Sequence, residues 1–503
     1  MKIKTYTKIF IYMMILFLIF SSITILRVSA TTSNIVITGD FVDGGTNKTV
    51  SYKVTYNDNL FTKASTTNNT YLAKLSMVAS ATAYNPDTTV TFLKKAGFTN
   101  IKTKKANPTK TSNDTVSYIY GYKVINSKPL VAVIIKGTSG NYEWVSNFNI
   151  GQATTHAGFS LAEQELNSTI SSYISNNGLS NAKYWVTGHS RGAAVANLYA
   201  KRLTDKYGKA NIYAYTFATP RVSTIGKKTG YENIFNYINS GDFVTEVAPK
   251  AWGYKRFGTD ITITASDLSD AKSTFKTLTG VDYKGYSKTE TTNGVAGFVL
   301  FGGNSPKEYY TAKEYKKIIK FSLSAADVCQ KGIGYYLAGD KTGYVTIAKI
   351  VAVNEQAKQF YDYFCADKNR LTDGIGHAHC QAFYYGWISN VNSKDAEQTA
   401  KENSIKKAEN LTISNFIVKS TSKGKLTMSW TKVPSTKKYL IKVSISKNFT
   451  SKTTTNYLPV NNIYTISKLT SGKTYYIKIR TVSKIDDQAV YGKWSSVKTI
   501  KVK

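Results

Sequence analysis

One short stretch limits what this chain can fold into more than any other. In VTGHSRGAAVANLYA, residues 186–200, a serine stands between two glycines where an apolar run meets an alanine-rich run. A strand that turns sharply into a helix through Gly-x-Ser-x-Gly needs both glycines, because a Cβ at either position would clash within the turn. The context favours a nucleophile elbow over a structural turn, with Ser190 held at the helix N-terminus by Gly188 and Gly192.

The segments around this turn alternate between strand and helix patterns. A continuous β-branched run, PLVAVII, stops at Gly-Thr-Ser-Gly, and the runs IYAYTFA and IFNYIN follow the helix that starts near Ala193. Continuous apolar strands are typical of parallel sheets that are covered on both faces. The pattern therefore predicts an α/β fold with a mostly parallel sheet and helices on both sides.

The composition changes at several points along the 503 residues. Residues 1–30 combine lysines, an apolar run and a Val-Ser-Ala ending, which favours a cleaved secretory signal over an uncleaved anchor. Residues 31–390 carry the α/β pattern, and 255–370 within them look like an insertion that caps the sheet, with a Gly-rich apolar patch, GVAGFVLFGG. Residues 391–410 form a charged helical linker, and 411–503 form a separate domain of short strands.

Positive charge is spread through the chain and is dense at its end. The formal net charge is +35, or +31 without the four basic residues of the first 30, and residues 411–503 hold 18 Lys or Arg against two Asp. Such an excess implies attraction to polyanions, here cell-wall polymers or an anionic lipid surface. Nucleic acid is not an expected partner, because export is predicted and no basic helical stripe alternates with aromatic residues.

A serine hydroxyl becomes a nucleophile only when a base takes its proton and an acid orients that base. The chain has four histidines. His189 lies inside the elbow, and His156 precedes the serine, whereas hydrolases of this architecture place the base last. His377 and His379, in the segment GIGHAHCQAFYYGWI, remain as candidates for the base.

The acid is expected at the carboxyl end of a strand, where such sheets assemble their sites. Asp242 follows the IFNYIN run and lies between the serine and the candidate bases in the chain, and Asp260 is the second candidate. A tetrahedral intermediate also needs hydrogen-bond donors. The amide and hydroxyl of Thr138, after the PLVAVII strand, and the backbone N–H of Arg191, directly after the serine, can supply them.

A metal site is the alternative interpretation of the histidine segment. His377, His379 and Cys380 could be ligands, but their spacing, with no second cluster, suits a tetrahedral ion poorly. Neither a metal nor an organic cofactor is therefore predicted. Together with Cys329 and Cys365, Cys380 permits at most one internal disulfide, so the chain is not a disulfide scaffold.

Six motifs together resemble the class 3, or fungal-type, lipases of the α/β-hydrolase fold. They are KGTSGNYEWVSNF, HAGF, GHSRG, FATPRVS, NSGDFV and AHCQAFYYGWI, and the resemblance covers about residues 65–250 and 375–390. It implies that Ser190 is the nucleophile and Asp242 the acid. It also implies that Thr138 and Arg191 form the oxyanion hole.

The same resemblance selects the base. Members of the family place a tyrosine five residues after the catalytic histidine and often a tryptophan eight residues after it, as Tyr384 and Trp387 follow His379. His156 would then be structural. The chain departs from the family pattern at Lys136, at Arg191 where leucine is usual, and in the insertion before the base.

The side chain of Arg191 has two interpretations. We expect it to point outward and pair with an acid, and contact with an anionic head group is the alternative. The insertion leaves open whether GVAGFVLFGG is a movable lid or a buried hairpin.

The end of the chain resembles a fibronectin type III domain, an all-β sandwich. The segments KLTMSWTKVPSTKKYLIKVSIS, LTSGKTYYIKIRTV and YGKWSSVKTIKV carry the resemblance, which implies a core position for Trp430 and a tyrosine-corner position for Tyr475. The expected role of this domain is that of a spacer. Binding of an anionic wall polymer is the alternative.

These features predict a secreted lipase or carboxylesterase that hydrolyses acylglycerols or related lipid esters through an acyl-enzyme, with contact to a lipid interface. A phospholipase or general esterase that acts on anionic lipids is one alternative. The other is a cell-surface binding protein whose hydrolase domain is catalytically silent.

Overall fold

The computed structural model describes most of the chain as two compact units, Met1–Asn392 and Ser393–Lys503. The described residues are 35–109, 112–140, 142–151, 153–292, 338–341, 368–434, 436–485 and 488–503. The predicted signal peptide, the patch GVAGFVLFGG, Cys329 and Cys365 lie outside these ranges. None of the described helices has the length and apolar character needed to span a bilayer.

The first unit contains a two-stranded hairpin and a mixed seven-stranded sheet in the order β3-β4-β5-β6-β7-β8-β9. The pairs β3–β4 and β4–β5 are antiparallel, and the next four pairs are parallel. The sheet is therefore mostly parallel, as predicted. The strands are β1 (Ile35–Val42) and β2 (Thr49–Tyr56) in the hairpin, then β3 (Thr99–Lys104), β4 (Tyr118–Ile125), β5 (Lys128–Ile135), β6 (Lys183–His189), β7 (Ile212–Phe217), β8 (Ile234–Ile238) and β9 (Thr259–Thr262).

Helices cover both faces of this sheet, so its central strands are buried on both sides. Alternate residues of a strand point to opposite faces. Trp185 packs in a core cluster with Phe92, whereas its neighbours Tyr184 and Val186 belong to a second cluster with Phe159. The α/β class is confirmed. The helices are α1 (Thr70–Thr82), α2 (Pro86–Lys95), α3 (Glu143–Asn147), α4 (Ala157–Asn176), α5 (Arg191–Tyr207), α6 (Ala265–Thr279), α7 (Lys368–His379) and α8 (Gln381–Glu409).

The sheet continues further along the chain than the sequence indicated. Strand β9 pairs in parallel with β8, starting from Phe235 opposite Thr259. The segment 255–370, interpreted as an insertion that caps the sheet, therefore begins with a strand of the sheet itself. β9 is an edge strand with partly exposed polar residues, TDIT, and it lacks the continuous apolar run that marks the other strands.

The second unit begins with a helical segment, and the rest of it consists of two antiparallel sheets around one core. Trp430 lies in that core, with its ring centroid 5.0 Å from that of Tyr439. The hydroxyl of Tyr475 accepts a hydrogen bond from the Thr470 N–H at 3.1 Å, the contact implied by a tyrosine-corner position. One sheet contains β10 (Ile417–Ser422), β11 (Lys425–Ser429) and β14 (Ile463–Ile466), and the other β12 (Lys438–Ser444), β13 (Thr454–Tyr457), β15 (Thr474–Ile485), β16 (Gln488–Tyr491) and β17 (Lys498–Lys501).

Candidate active site

Ser190 occupies the single residue between β6 and α5. Its backbone has φ 60° and ψ −129°, a conformation that a residue with a Cβ adopts only under strain. The Ser190 N–H donates to the carbonyl of Phe217 at the end of β7, at 3.0 Å, which ties the turn to the neighbouring strand. The sharp turn that the sequence predicted is therefore present, and it places the hydroxyl at the N-terminus of α5.

The two glycines of the turn are required by the packing around them. A Cβ on Gly188 would overlap the carbonyl oxygen of Gly192. A Cβ on Gly192 would overlap the carbonyl oxygen of Ile135 and lie 2.7 Å from that of Lys136. The start of α5 therefore packs directly on the carboxyl end of β5, which brings the serine beside the loop that follows β5.

Ser190, His379 and Asp242 form a continuous hydrogen-bonded chain. The Nε2 atom of His379 lies 2.8 Å from the Ser190 Oγ, and its Nδ1 atom lies 2.8 Å from the Asp242 Oδ2. A carboxylate only accepts, so Nδ1 carries the proton and Nε2 is free to accept from the serine hydroxyl. The residues come from three elements: the β6–α5 turn, the segment after β8, and the last residue of α7.

The Asp242 side chain is fully buried and has all its partners in place. Its Oδ1 accepts from the Val244 N–H at 3.0 Å, and its Oδ2 also accepts from the Tyr384 hydroxyl at 3.0 Å. Burial, and then the charge of Asp242, raise the pKa of Tyr384 well above its usual range, so this hydroxyl keeps the proton that it donates. Asp260, the second candidate acid, instead accepts from Arg256 at 2.9 Å.

His189 holds the backbone of the candidate base. Its Nε2 donates to the carbonyl oxygen of His379 at 2.7 Å, and its Nδ1 accepts from the Tyr84 hydroxyl at 3.0 Å. Burial, and then the proximity of His379, lower the pKa of His189 well below its usual value, so the ring stays neutral. Both ring nitrogens are engaged, which removes His189 as a base. Sequence reasoning identified neither this contact nor Tyr84.

The loop after β5 is held in a fixed shape next to the serine. The carboxylate of Glu143 accepts from the N–H groups of Ser139 and Gly140, at 2.6 and 2.8 Å. The hydroxyl of Thr138 accepts from the Asn147 side chain at 2.9 Å, so its own proton can be donated elsewhere. The N–H of Arg191, in the first turn of α5, has no intrahelical partner. Both groups can therefore donate to an oxyanion.

The prediction for the Arg191 side chain was wrong. The side chain is buried, and its guanidinium donates to the Asn147 Oδ1 at 3.1 Å and to the Thr115 carbonyl at 2.9 Å. Burial lowers the pKa of Arg191 to about 10, and the nearby Glu143 and Asp114 oppose that shift. The side chain neither points outward nor is available to a substrate head group. It holds Asn147, which in turn holds Thr138.

The other two histidines have separate partners. His156 is fully buried, stacks on Phe159 with centroids 3.8 Å apart, and its Nε2 donates to the Asn147 carbonyl at 3.0 Å. The Nδ1 of His377 accepts from the Lys284 N–H at 3.0 Å. A helix turns by about 200° over two residues, so His377 and His379 point to opposite sides of α7.

The structure does not bring the alternative metal ligands together. The thiol of Cys380 is free and buried, and it contacts the carbonyl of His377. Both nitrogens of His379 are already engaged by Ser190 and Asp242. Within the residues described here, no group of three His, Cys, Asp or Glu side chains could hold a metal ion.

A separate open cleft of about 620 Å³ lies beside β2 and α1. Its lining includes Lys53, Lys63, Lys74 and Tyr385, and it contains neither the serine nor its two partners. Burial lowers the pKa of Lys74, whose Nζ lies 5.3 Å from the centroid of the Tyr385 ring. This cleft is therefore distinct from the candidate active site.

Comparisons with known proteins find lipases that are similar to part of the chain. Residues 132–252 match the sequence model of the family described as Lipase (class 3). Over 146 residues the chain is 30% identical to a protein of Fusarium solani named Secreted mono- and diacylglycerol lipase 1. The matched region covers 26% of this chain and 43% of that relative. The chain thus spans less than half the length of this curated relative.

Solved structures match parts of the chain. The native Rhizomucor miehei lipase propeptide complex matches with a TM-score of 0.30 and 21% identity over 39% of this chain and 68% of its own. Lipase II from Rhizopus niveus matches with a TM-score of 0.30 and 19% identity over 38% and 79%. The FN1–FN3 domains of chicken CNTN1 match with a TM-score of 0.16 and 18% identity over 18% and 30%.

Proposed function

We propose that this chain is a serine-dependent carboxylic ester hydrolase, acting as a lipase on acylglycerols or related lipid esters. The observation that supports it most is the chain of two 2.8 Å hydrogen bonds through Ser190, His379 and Asp242 at a strained strand-to-helix turn. The match of residues 132–252 to the class 3 lipases supports the lipid ester as substrate.

In the first half of the proposed reaction, Ser190 attacks the ester carbonyl carbon while its proton passes to the Nε2 of His379. Asp242 stabilises the resulting imidazolium through Nδ1. The carbonyl oxygen becomes an oxyanion that accepts hydrogen bonds from Thr138 and from the Arg191 N–H. The C–O bond to the alcohol then breaks, and the alcohol leaves with the proton from His379.

In the second half, water attacks the acyl-serine, and His379 takes its proton. The collapse of the second tetrahedral intermediate breaks the bond to Ser190, releases the fatty acid and returns the proton to the serine oxygen. Besides the ester and water, the steps use only Ser190, His379, Asp242 and the two oxyanion donors, so the proposal requires no cofactor.

We also propose that the protein acts outside the cell. The signal-like residues 1–30 support this, and the Fusarium solani relative is named as secreted. The excess of positive charge favours an anionic lipid surface, so a phospholipase or general esterase stays the second candidate.

The test uses a fluorophosphonate probe, which labels activated serines, on the full chain and on Ser190→Ala. We expect labelling of the first only. Labelling of neither overturns the proposal and leaves the silent binding protein, and equal labelling of both overturns it because Ser190 is then not the activated serine. Rates on a triacylglycerol emulsion, a diacylglycerol emulsion, phosphatidylglycerol vesicles and a soluble short-chain ester then identify the substrate class. If the vesicles or the soluble ester are hydrolysed fastest, the protein is the second candidate, a phospholipase or general esterase.

A further inference from the structure

The larger sheet of the second unit has three basic side chains side by side on its outer face. Lys442 on β12 lies directly opposite Lys478 on β15, and Arg480 follows two residues along β15, on the same face. All three are partly exposed, whereas the residues that alternate with them are buried in the core. We call Lys442, Lys478 and Arg480 the basic face.

The like charges of the basic face repel one another. Like charges directly opposite each other on neighbouring strands are destabilising. The pKa of Lys478 is lowered by partial burial and then by the charges of Lys442 and Arg480. A sheet under selection for stability alone would place an acid at one of these positions. The retained repulsion makes the three charges candidates for binding an anion outside the fold.

Aromatic rings hold these cations in position without neutralising them. The Lys478 Nζ lies 4.2 Å from the centroid of Phe449 and 4.8 Å from that of Trp494. The Arg480 guanidinium carbon lies 3.9 Å from the centroid of Tyr491 and 4.4 Å from that of Trp494. Rings and cations thus alternate across the face. Stacking orders the cationic groups, and their positive charge persists.

The rest of this region cannot neutralise the basic face. Residues 411–503 contain 18 basic residues and only two acidic ones, Asp486 and Asp487, which lie outside the described residues. At most two of the 18 can therefore be paired within the region. The face therefore has a surplus of positive charge for an external anion.

We propose that the basic face binds a linear phosphate-bearing polymer, such as a chain of repeating phosphodiesters. Opposite residues lie about 5 Å apart and residues i and i+2 about 7 Å apart, so the three cations match an anion repeated along a flexible chain. Lysine and arginine both bind phosphate, and the arginine can do so with two parallel hydrogen bonds.

A lipid bilayer fits this face less well. Insertion into a bilayer needs apolar side chains that project from the surface. Of the three rings on the basic face, Phe449 and Trp494 are instead partly buried against the cations, and the exposed ring, Tyr491, carries a polar hydroxyl. The proposal does not depend on the hydrolase activity, because the basic face and the candidate triad lie in different units.

The test measures binding of the full chain to inorganic polyphosphate and to phosphatidylglycerol vesicles, for the native chain and two double variants. Lys442→Gln with Lys478→Gln alters the basic face. Lys419→Gln with Lys425→Gln removes the same charge from exposed positions of the smaller sheet. We expect polyphosphate affinity to fall about tenfold in the first variant and by less than about twofold in the second. Equal losses, or binding to the vesicles and not to polyphosphate, overturn the proposal.

Two further measurements separate binding from folding. The first variant removes a like-charge pair, so its melting temperature should be unchanged or higher than that of the native chain. If the melting temperature falls, Arg480→Lys is tested instead. It keeps the charge and loses the planar fork, and we expect a several-fold loss of polyphosphate affinity; unchanged affinity overturns the proposal. Hydrolysis of a soluble ester by the same preparations shows that the first unit is intact.

Discussion

In the first unit the buried charges of Asp242 and Arg191 have hydrogen-bond partners, whereas the basic side chains on the β12–β15 face of the second unit have like charges as neighbours. Asp242 accepts three hydrogen bonds and Arg191 donates two, and neither is exposed. Lys442 and Lys478 face each other across two strands. Charges of the first kind fix the geometry of a site, and charges of the second kind remain available to a partner.

Replacing Asp242 by asparagine tests the first half of this comparison most strongly. The amide cannot accept the Nδ1 proton in the same way, so His379 takes the wrong tautomer. We expect turnover of a soluble ester to fall by about ten-thousandfold. The matched control is Asp260→Asn, at the second acid that the sequence offered. A larger loss in the control would show that the acid is misassigned.

The buried arginine offers the next largest effect. Arg191→Met keeps much of the side-chain volume but leaves the Asn147 Oδ1 and the Thr115 carbonyl without a donor. We expect the free energy of unfolding to fall by about 2–3 kcal/mol in urea titrations. The same change at Lys425, which is exposed, should cost less than about 0.5 kcal/mol. Similar losses at the two positions would mean that the hydrogen bonds of Arg191 contribute nothing.

Acid should weaken the first unit through its buried histidines. Burial lowers the pKa of His156 from 6.5 to about 3, so between these values only the unfolded chain binds the proton. Stability is therefore complete above about pH 6.5 and falls towards lower pH, by about 1.4 kcal/mol per pH unit for each such histidine. His189 acts in the same direction. His156→Gln should reduce the number of protons taken up on unfolding by about one, measured as the pH dependence of the free energy of unfolding from pH 7 to 5. An unchanged slope would contradict the assignment.

The smallest expected effect is an increase in the free energy of unfolding. Lys442→Gln removes the repulsion across β12 and β15, so the free energy of unfolding of the second unit should rise by about 0.2–1 kcal/mol. Thermal unfolding at low salt measures it, and added salt should shrink the difference because it screens the repulsion. A decrease in stability would mean that the cation–ring contacts outweigh the repulsion, and the contrast between the two units would disappear.

The sequence predicted the elbow and the central strands because their signals are local. Glycine on both sides of Ser190 and the unbroken apolar runs of the sheet are each visible within fifteen residues. The structure also joins this serine to Asp242 and His379, the two partners that the sequence predicts. Residue types alone left His377 and His379 open, because two residues on one helix differ only in the direction they face. The choice of His379 depended on its spacing to Tyr384 and Trp387.

Other features needed the packing of the whole unit. Arg191 was expected outside, yet α5 continues as AAVANLYA, a run without a polar face. That run is the signal that could have placed the start of the helix, and its arginine, inside the protein. Strand β9 is an edge strand with no apolar run, and Tyr84 and Asn147 contact the site from distant or short elements. No local pattern marks such residues.

The hydrogen bond between Ser190 and His379 has a consequence for how the protein is made. The serine and the imidazole are separated by 189 positions in the chain, and the carboxylate lies between them. A ribosome delivers the elbow long before the helix that carries the imidazole. A nascent chain therefore holds an unactivated hydroxyl until its last α/β segment has docked. The proposed ester hydrolysis can therefore begin only once synthesis has passed that point.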